Sequence, residues 1–215
     1  MKKPELKINI LVLSSSLYVA FQLFANVLST KIALLPWLNL SVDGGTIIYP
    51  LTFTLRDFVH KTCGKKVARE VIFTAAGLNV IMFGLFWLVG KMTPDPTWQF
   101  QQAYQQILLP VGRIVAASII SQIISELIDT EVFSSIYRRR GELLQHSDTM
   151  SVILSNTAGL LVDSFIFSFI AFLGALPFTT VMQIIYANIL IKLAMSILSA
   201  PSIKLIPRTA KFEEI

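Results

Sequence analysis

Seven ionisable side chains sit inside stretches apolar enough to enter a bilayer: Arg56, Asp57, Arg113, Glu126, Asp129, Asp163 and Lys192. Such groups are expensive in hydrocarbon and persist mainly where they face a protein interior or a wet cavity. The densest set lies between Val111 and Arg140. There Ser118, Gln122, Glu126 and Asp129 follow at spacings of four, four and three, which puts them on one helix face. Arg113 points to the opposite side of an ideal helix, close to Pro110 and Gly112. Carboxylates, amides and hydroxyls on a shared face can hold a polar solute. They lack what catalysis needs: no nucleophile–base pair is visible, and H-E-x-x-H, G-x-S-x-G and G-x-x-x-x-G-K-[ST] are all missing. No enzyme and no cofactor is expected. Cys63 stands alone, as do His60 and His146, so no metal-ligand set is expected.

The elements that must carry these groups are membrane helices. The chain is 54% hydrophobic and 14% charged, against roughly 25% charged in soluble domains. Its mean hydropathy is +0.67. One membrane domain over 1–215 is expected, all-α, with six transmembrane helices near 8–28, 46–63, 70–89, 107–129, 150–173 and 180–200. Each is long enough to cross about 30 Å of hydrocarbon.

Polar faces recur along these segments. In the first, Ser15, Tyr18, Gln22, Asn26 and Ser29 share a side; the segment reads as an uncleaved span. In the second, Tyr49, Phe53, Asp57 and His60 lie within one face, and Pro50 could kink it. The fifth carries Ser155, Asn156 and Asp163. The sixth carries Asn188 and Lys192. Residues Lys31 to Gly45, with Pro36, Trp37 and an Asp-Gly-Gly turn signal, read as an external connection. Gly64, Lys65, Lys66 and Arg69 read as a basic loop. The stripe Ser151, Ser155, Gly159 suits close helix packing or a homodimer.

Lysine and arginine set the orientation. Thirteen fall at the N-terminus, the second-to-third and fourth-to-fifth connections and the C-terminus; only Lys31 and Lys91 fall on the other side. Both termini are therefore expected in the cytoplasm of a bacterial cell, with the chain multi-pass in its inner membrane. The net charge of +5 is explained by this placement, so the partners expected are lipid and a small solute rather than nucleic acid.

Tyr18, Tyr49, Phe53 and Phe133 thread the same faces. Aromatics beside carboxylates and amides suit a flat heteroaromatic solute with a guanine-like edge, whose donors and carbonyl need complementary partners. Three stretches then carry a resemblance. Tyr49–Arg69 (YPLTFTLRDFVHKTCGKKVAR), Gly112–Arg139 and Ser155–Gly174 hold P-x-x-F-x-x-x-D, R-x-x-x-x-S-x-x-x-Q-x-x-x-x-x-x-D-x-x-V-F and S-N-x-x-x-x-x-x-D-x-x-x-F patterns. In this order the chain resembles the vitamin uptake transporter (VUT) family, whose bacterial members import queuosine precursors.

The resemblance implies six helices in a fold similar to the substrate-binding subunits of energy-coupling-factor importers. It implies salvage of 7-cyano- and 7-aminomethyl-7-deazaguanine for transfer-RNA queuosine. Residue by residue it points to Pro50, Phe53 and Asp57, to Arg113, Ser118, Gln122 and Asp129, and to Ser155, Asn156 and Asp163. The helix faces add Asn26, Tyr49, Glu126, Asn188 and Lys192. The alternative is a substrate-binding subunit of an ATP-driven vitamin or nucleobase importer. Ala20 and Ala25 are five apart, whereas such subunits often dock through alanines four apart in the first helix, so an autonomous transporter is favoured.

Overall fold

The computed structural model describes residues 10–140 and 148–203, apart from the side chains at 10, 57, 60, 61, 65, 126, 129–140, 148–156 and 196–203. Asp57, Glu126, Asp129 and Asn156 therefore lie outside the described residues. So do Phe133, Ser151 and Ser155.

Helix α1 (Ile10–Leu28) is an apolar run with one polar stripe. It ends where Thr30 Oγ1 and the Thr30 amide both turn back to the Val27 carbonyl. Strands β1 (Ile32–Leu35) and β2 (Leu40–Asp43) then form an antiparallel hairpin in which Ile32 faces Asp43 and Leu35 faces Leu40. Asn39 closes the loop at φ 50°, a left-handed conformation that Asn tolerates better than most residues. A 3-10 turn (Gly44–Ile47) leads into α2 (Tyr49–Lys91).

The connection expected from Lys31 to Gly45 takes the form of this hairpin. The segment folds back onto the helices: Val42, Asp43, Gly45 and Thr46 are buried. Ser41 donates its amide to Gln183 on the last helix at 3.3 Å. Pro50 does not kink a helix. It sits in the first turn of α2, where a missing N–H leaves no bond unmade.

The break in α2 falls at Gly64, with φ 84° and ψ 172°. Left unbroken, 43 residues would make a rod of roughly 65 Å, about twice the hydrocarbon thickness. Only glycine takes that backbone conformation cheaply. The expected basic loop is thus reduced to one residue; Lys66 and Arg69 are already helical.

Short α3 (Gln101–Leu108) precedes α4 (Val111–Arg140), α5 (Asp148–Phe172) and α6 (Phe178–Ile203). Gln101 and Gln105 each donate to the Gly90 carbonyl at 2.9 Å, closing an otherwise open acceptor at the end of α2. Between α5 and α6, Gly174 at φ 83° and Pro177 form a tight turn.

Lipid tails are as apolar as leucine, so helices in a bilayer associate through close packing and polar contacts. The buried positions match that rule. Ala117 and Ser121 on α4, Ser164 and Ser168 on α5, and Ala187 on α6 are fully buried. Around them Ile114, Phe172, Val181, Ile184 and Ile185 form the core. Phe73, Val80, Ile81, Leu85 and Leu88 on α2 are exposed.

Four helical stretches among the described residues are long and apolar enough to cross a membrane: Leu11–Leu28, Lys66–Lys91, Gln101–Ser125 and Phe178–Met195. Thr157–Phe172 is a shorter apolar helix.

Candidate solute site

A small cavity, with room for about one water molecule, opens where the hairpin meets the helices. The last turn of α1 supplies Ala25 and Asn26, and Ser29 follows directly after it. Asp43 enters from the end of β2, Gly45 and Thr46 from the 3-10 turn, and Tyr49 from the first residue of α2. Phe167 comes from α5, and Asn188 and Lys192 stand one turn apart on α6.

At one end the Asp43 carboxylate is held by neutral donors. Ser29 Oγ donates to Oδ1 at 2.7 Å; Thr46 Oγ1 and Asn188 Nδ2 contact Oδ2 at 2.8 and 3.0 Å. Thr46 and Asn188 are also hydrogen-bonded to each other. Gly45 makes this cluster possible. A Cβ there would lie 2.1 Å from Ser29 Oγ and 2.5 Å from the Ala25 carbonyl.

At the other end Lys192 Nζ is 2.6 Å from Asp163 Oδ2, and both side chains are buried. The ammonium also stands 4.9 Å from the centre of the Tyr49 ring, a cation–π geometry. Asn26 donates to Asn79 Oδ1 at 2.7 Å, and Asn79 is fixed in turn on the Ala75 carbonyl. The Asn26 amide therefore has a set orientation.

Asn26, Tyr49, Asn188 and Lys192 thus line the cavity, and Asp163 stands behind Lys192. Phe53 packs edge-on against Tyr49 at 5.4 Å, with the Arg56 guanidinium 5.5 Å from its own ring. Gln122 reaches Tyr18, whose hydroxyl also accepts from Gln22. Ser118 is buried. Neither Gln122 nor Ser118 lines the cavity. Arg113 is directed elsewhere: it donates to the Ile170 carbonyl at 2.6 Å and to the Leu173 carbonyl, capping the end of α5. Among the described residues no three His, Cys, Asp or Glu groups converge on a metal position.

Sequence reasoning named Ser29 on a polar face without choosing it for the site, and passed over Asp43, Gly45 and Phe167. The signal for Asp43 was its isolation: no other acid lies between Glu5 and Asp57.

Helices of this apolarity define a multi-pass membrane protein, and polar and aromatic side chains meet in the small cavity between them. The sequence profile described as "Putative vitamin uptake transporter" matches residues 43–206, and the chain belongs to that family. It is also 27% identical over 168 residues to a Bacillus subtilis (strain 168) protein named "Probable queuosine precursor transporter", covering 76% of this chain and 70% of that one. No solved structure matches the chain.

Proposed function

We propose that this protein imports queuosine precursors, the 7-cyano and 7-aminomethyl forms of 7-deazaguanine, across a bacterial cell membrane. In this reading α1, the two parts of α2 on either side of Gly64, α4, α5 and α6 make six crossings, with both termini in the cytoplasm.

The observation that carries the proposal is the set of hydrogen-bonding positions left open around the cavity. Asn26 Oδ1 accepts no hydrogen bond among the described residues, while its amide nitrogen is committed to Asn79. It can take an N–H donor from the solute. Lys192 has three N–H donors and gives one to Asp163. Another can reach a ring carbonyl. Tyr49 and Phe167 offer surfaces for the faces of a flat ring. A guanine-like heterocycle presents that combination of edge donors, one carbonyl and two faces. The family and the Bacillus subtilis relative support the same solute class.

The test is restoration of salvage. A bacterium that can neither make nor import queuosine precursors is given this chain and fed 7-cyano-7-deazaguanine. Queuosine should return to its transfer RNA. It should not return with Asn26→Ala or Lys192→Met at matched protein levels. No restoration by the wild-type chain counts against the function, and equal restoration by both variants removes the site.

A further inference from the structure

The described cavity carries one charge too many. Lys192 and Asp163 neutralise each other at 2.6 Å. Asp43 is 2% exposed, and its contacts are Ser29, Thr46 and Asn188, all uncharged. Among the described residues no lysine, arginine or histidine lies within ion-pair distance of it. A buried carboxylate satisfied by neutral donors alone is costly, and the cost falls when a cation arrives.

A carboxylate has about four lone-pair positions. Ser29 takes one on Oδ1 and Asn188 one on Oδ2, while the single Thr46 proton is shared between Oδ2 and the Asn188 side-chain carbonyl. The position that no donor approaches is on Oδ1, in a residue that lines the cavity. Its complement is one strong N–H donor, best carrying positive charge. Lys192, the cation of the same cavity, does not supply it. It sits one turn further along α6 than Asn188, the residue that touches Asp43, and it is held by Asp163.

We propose that Asp43 is a specificity-determining residue that selects solutes bearing a protonated amine over neutral solutes of the same size. This inference rests on the transport reading above. Within that solute class it assigns a preference for the 7-aminomethyl form, an ammonium at neutral pH, over the 7-cyano form.

The test uses the full chain in proteoliposomes at pH 7, following uptake of labelled 7-cyano-7-deazaguanine. Unlabelled 7-aminomethyl-7-deazaguanine and its neutral 7-hydroxymethyl isostere are the competitors. The aminomethyl compound should compete at a concentration roughly tenfold or more below the hydroxymethyl one, the scale of a hydrogen bond to a charged group. Asp43→Asn should bring the two competitors together in whatever uptake of the cyano compound it retains, and its thermal unfolding in detergent reports separately that the variant folds. Equal competition in the wild-type chain overturns the proposal and needs no variant. An undiminished preference in Asp43→Asn that still transports overturns it too. Failure of the wild-type chain to take up the labelled cyano compound sinks the transport reading itself, and the two failures are therefore distinguishable.

Discussion

Removing Lys192 alone should be among the most damaging single changes in this protein, and removing its partner as well should repair most of the damage. The Lys192–Asp163 contact is 2.6 Å long, with side chains 3% and 6% exposed. Lys192→Met leaves a carboxylate in a site that water hardly reaches. Breaking a buried pair from one side costs about 3–5 kcal/mol, whereas replacing both members with apolar residues of similar size is often near neutral. For a chain of this length each kcal/mol shifts the unfolding midpoint by about 2–4 °C. The single variant should therefore melt on the order of 10 °C lower. The assay is thermal unfolding in detergent of wild type, Lys192→Met, Asp163→Leu and the double variant. The double variant should recover to within a few degrees of wild type, without recovering uptake, because Lys192 is also the proposed donor to the solute. A double variant no more stable than Lys192→Met would refute the reasoning, and so would a single variant within about 2 °C of wild type.

Three more outcomes follow from the geometry. Gly45→Ala should abolish uptake and lower the melting midpoint, since its Cβ would meet Ser29 Oγ and the Ala25 carbonyl; Gly77→Ala, with nothing within 4 Å, should be neutral or stabilise by about 0.5–1 kcal/mol. Asn79→Ala should raise the KM for uptake several-fold and cost about 1–3 kcal/mol, because it frees Asn26 and leaves its amide without a partner; an unchanged KM would mean Asn26 does not meet solute. Arg113→Gln should lower stability by roughly 1–3 kcal/mol through the lost caps on Ile170 and Leu173, while the ranking of competing solutes stays as in wild type.

The helices were legible because apolar runs of membrane length have few other readings. Helical spacing alone placed Asn26 and Ser29 on one side of the first segment, and Asn188 and Lys192 on one side of α6; these faces meet at the cavity. Spacing was less informative where a polar group's partner lies on another helix. The stripe on α4 drew attention first, yet its Gln122 turns to the Tyr18 hydroxyl rather than to the cavity. Arg113 could not be read as a cap, because the carbonyls it meets come from the far end of α5, more than fifty positions on. Asp43 was hidden by its own neighbours. Asp-Gly-Gly is a strong turn signal, and nothing local says that the turn is carried back under the hairpin. Gly64 posed the opposite problem: flanking lysines read as a loop, whereas one residue at positive φ was enough to break the helix.

The most direct measurement is uptake of labelled 7-cyano-7-deazaguanine into proteoliposomes containing this chain as their sole protein. The account predicts saturable accumulation that unlabelled 7-aminomethyl-7-deazaguanine suppresses and that Asn26→Ala and Lys192→Met largely remove. Uptake no greater than into protein-free liposomes, from protein that is folded and monodisperse, would contradict it.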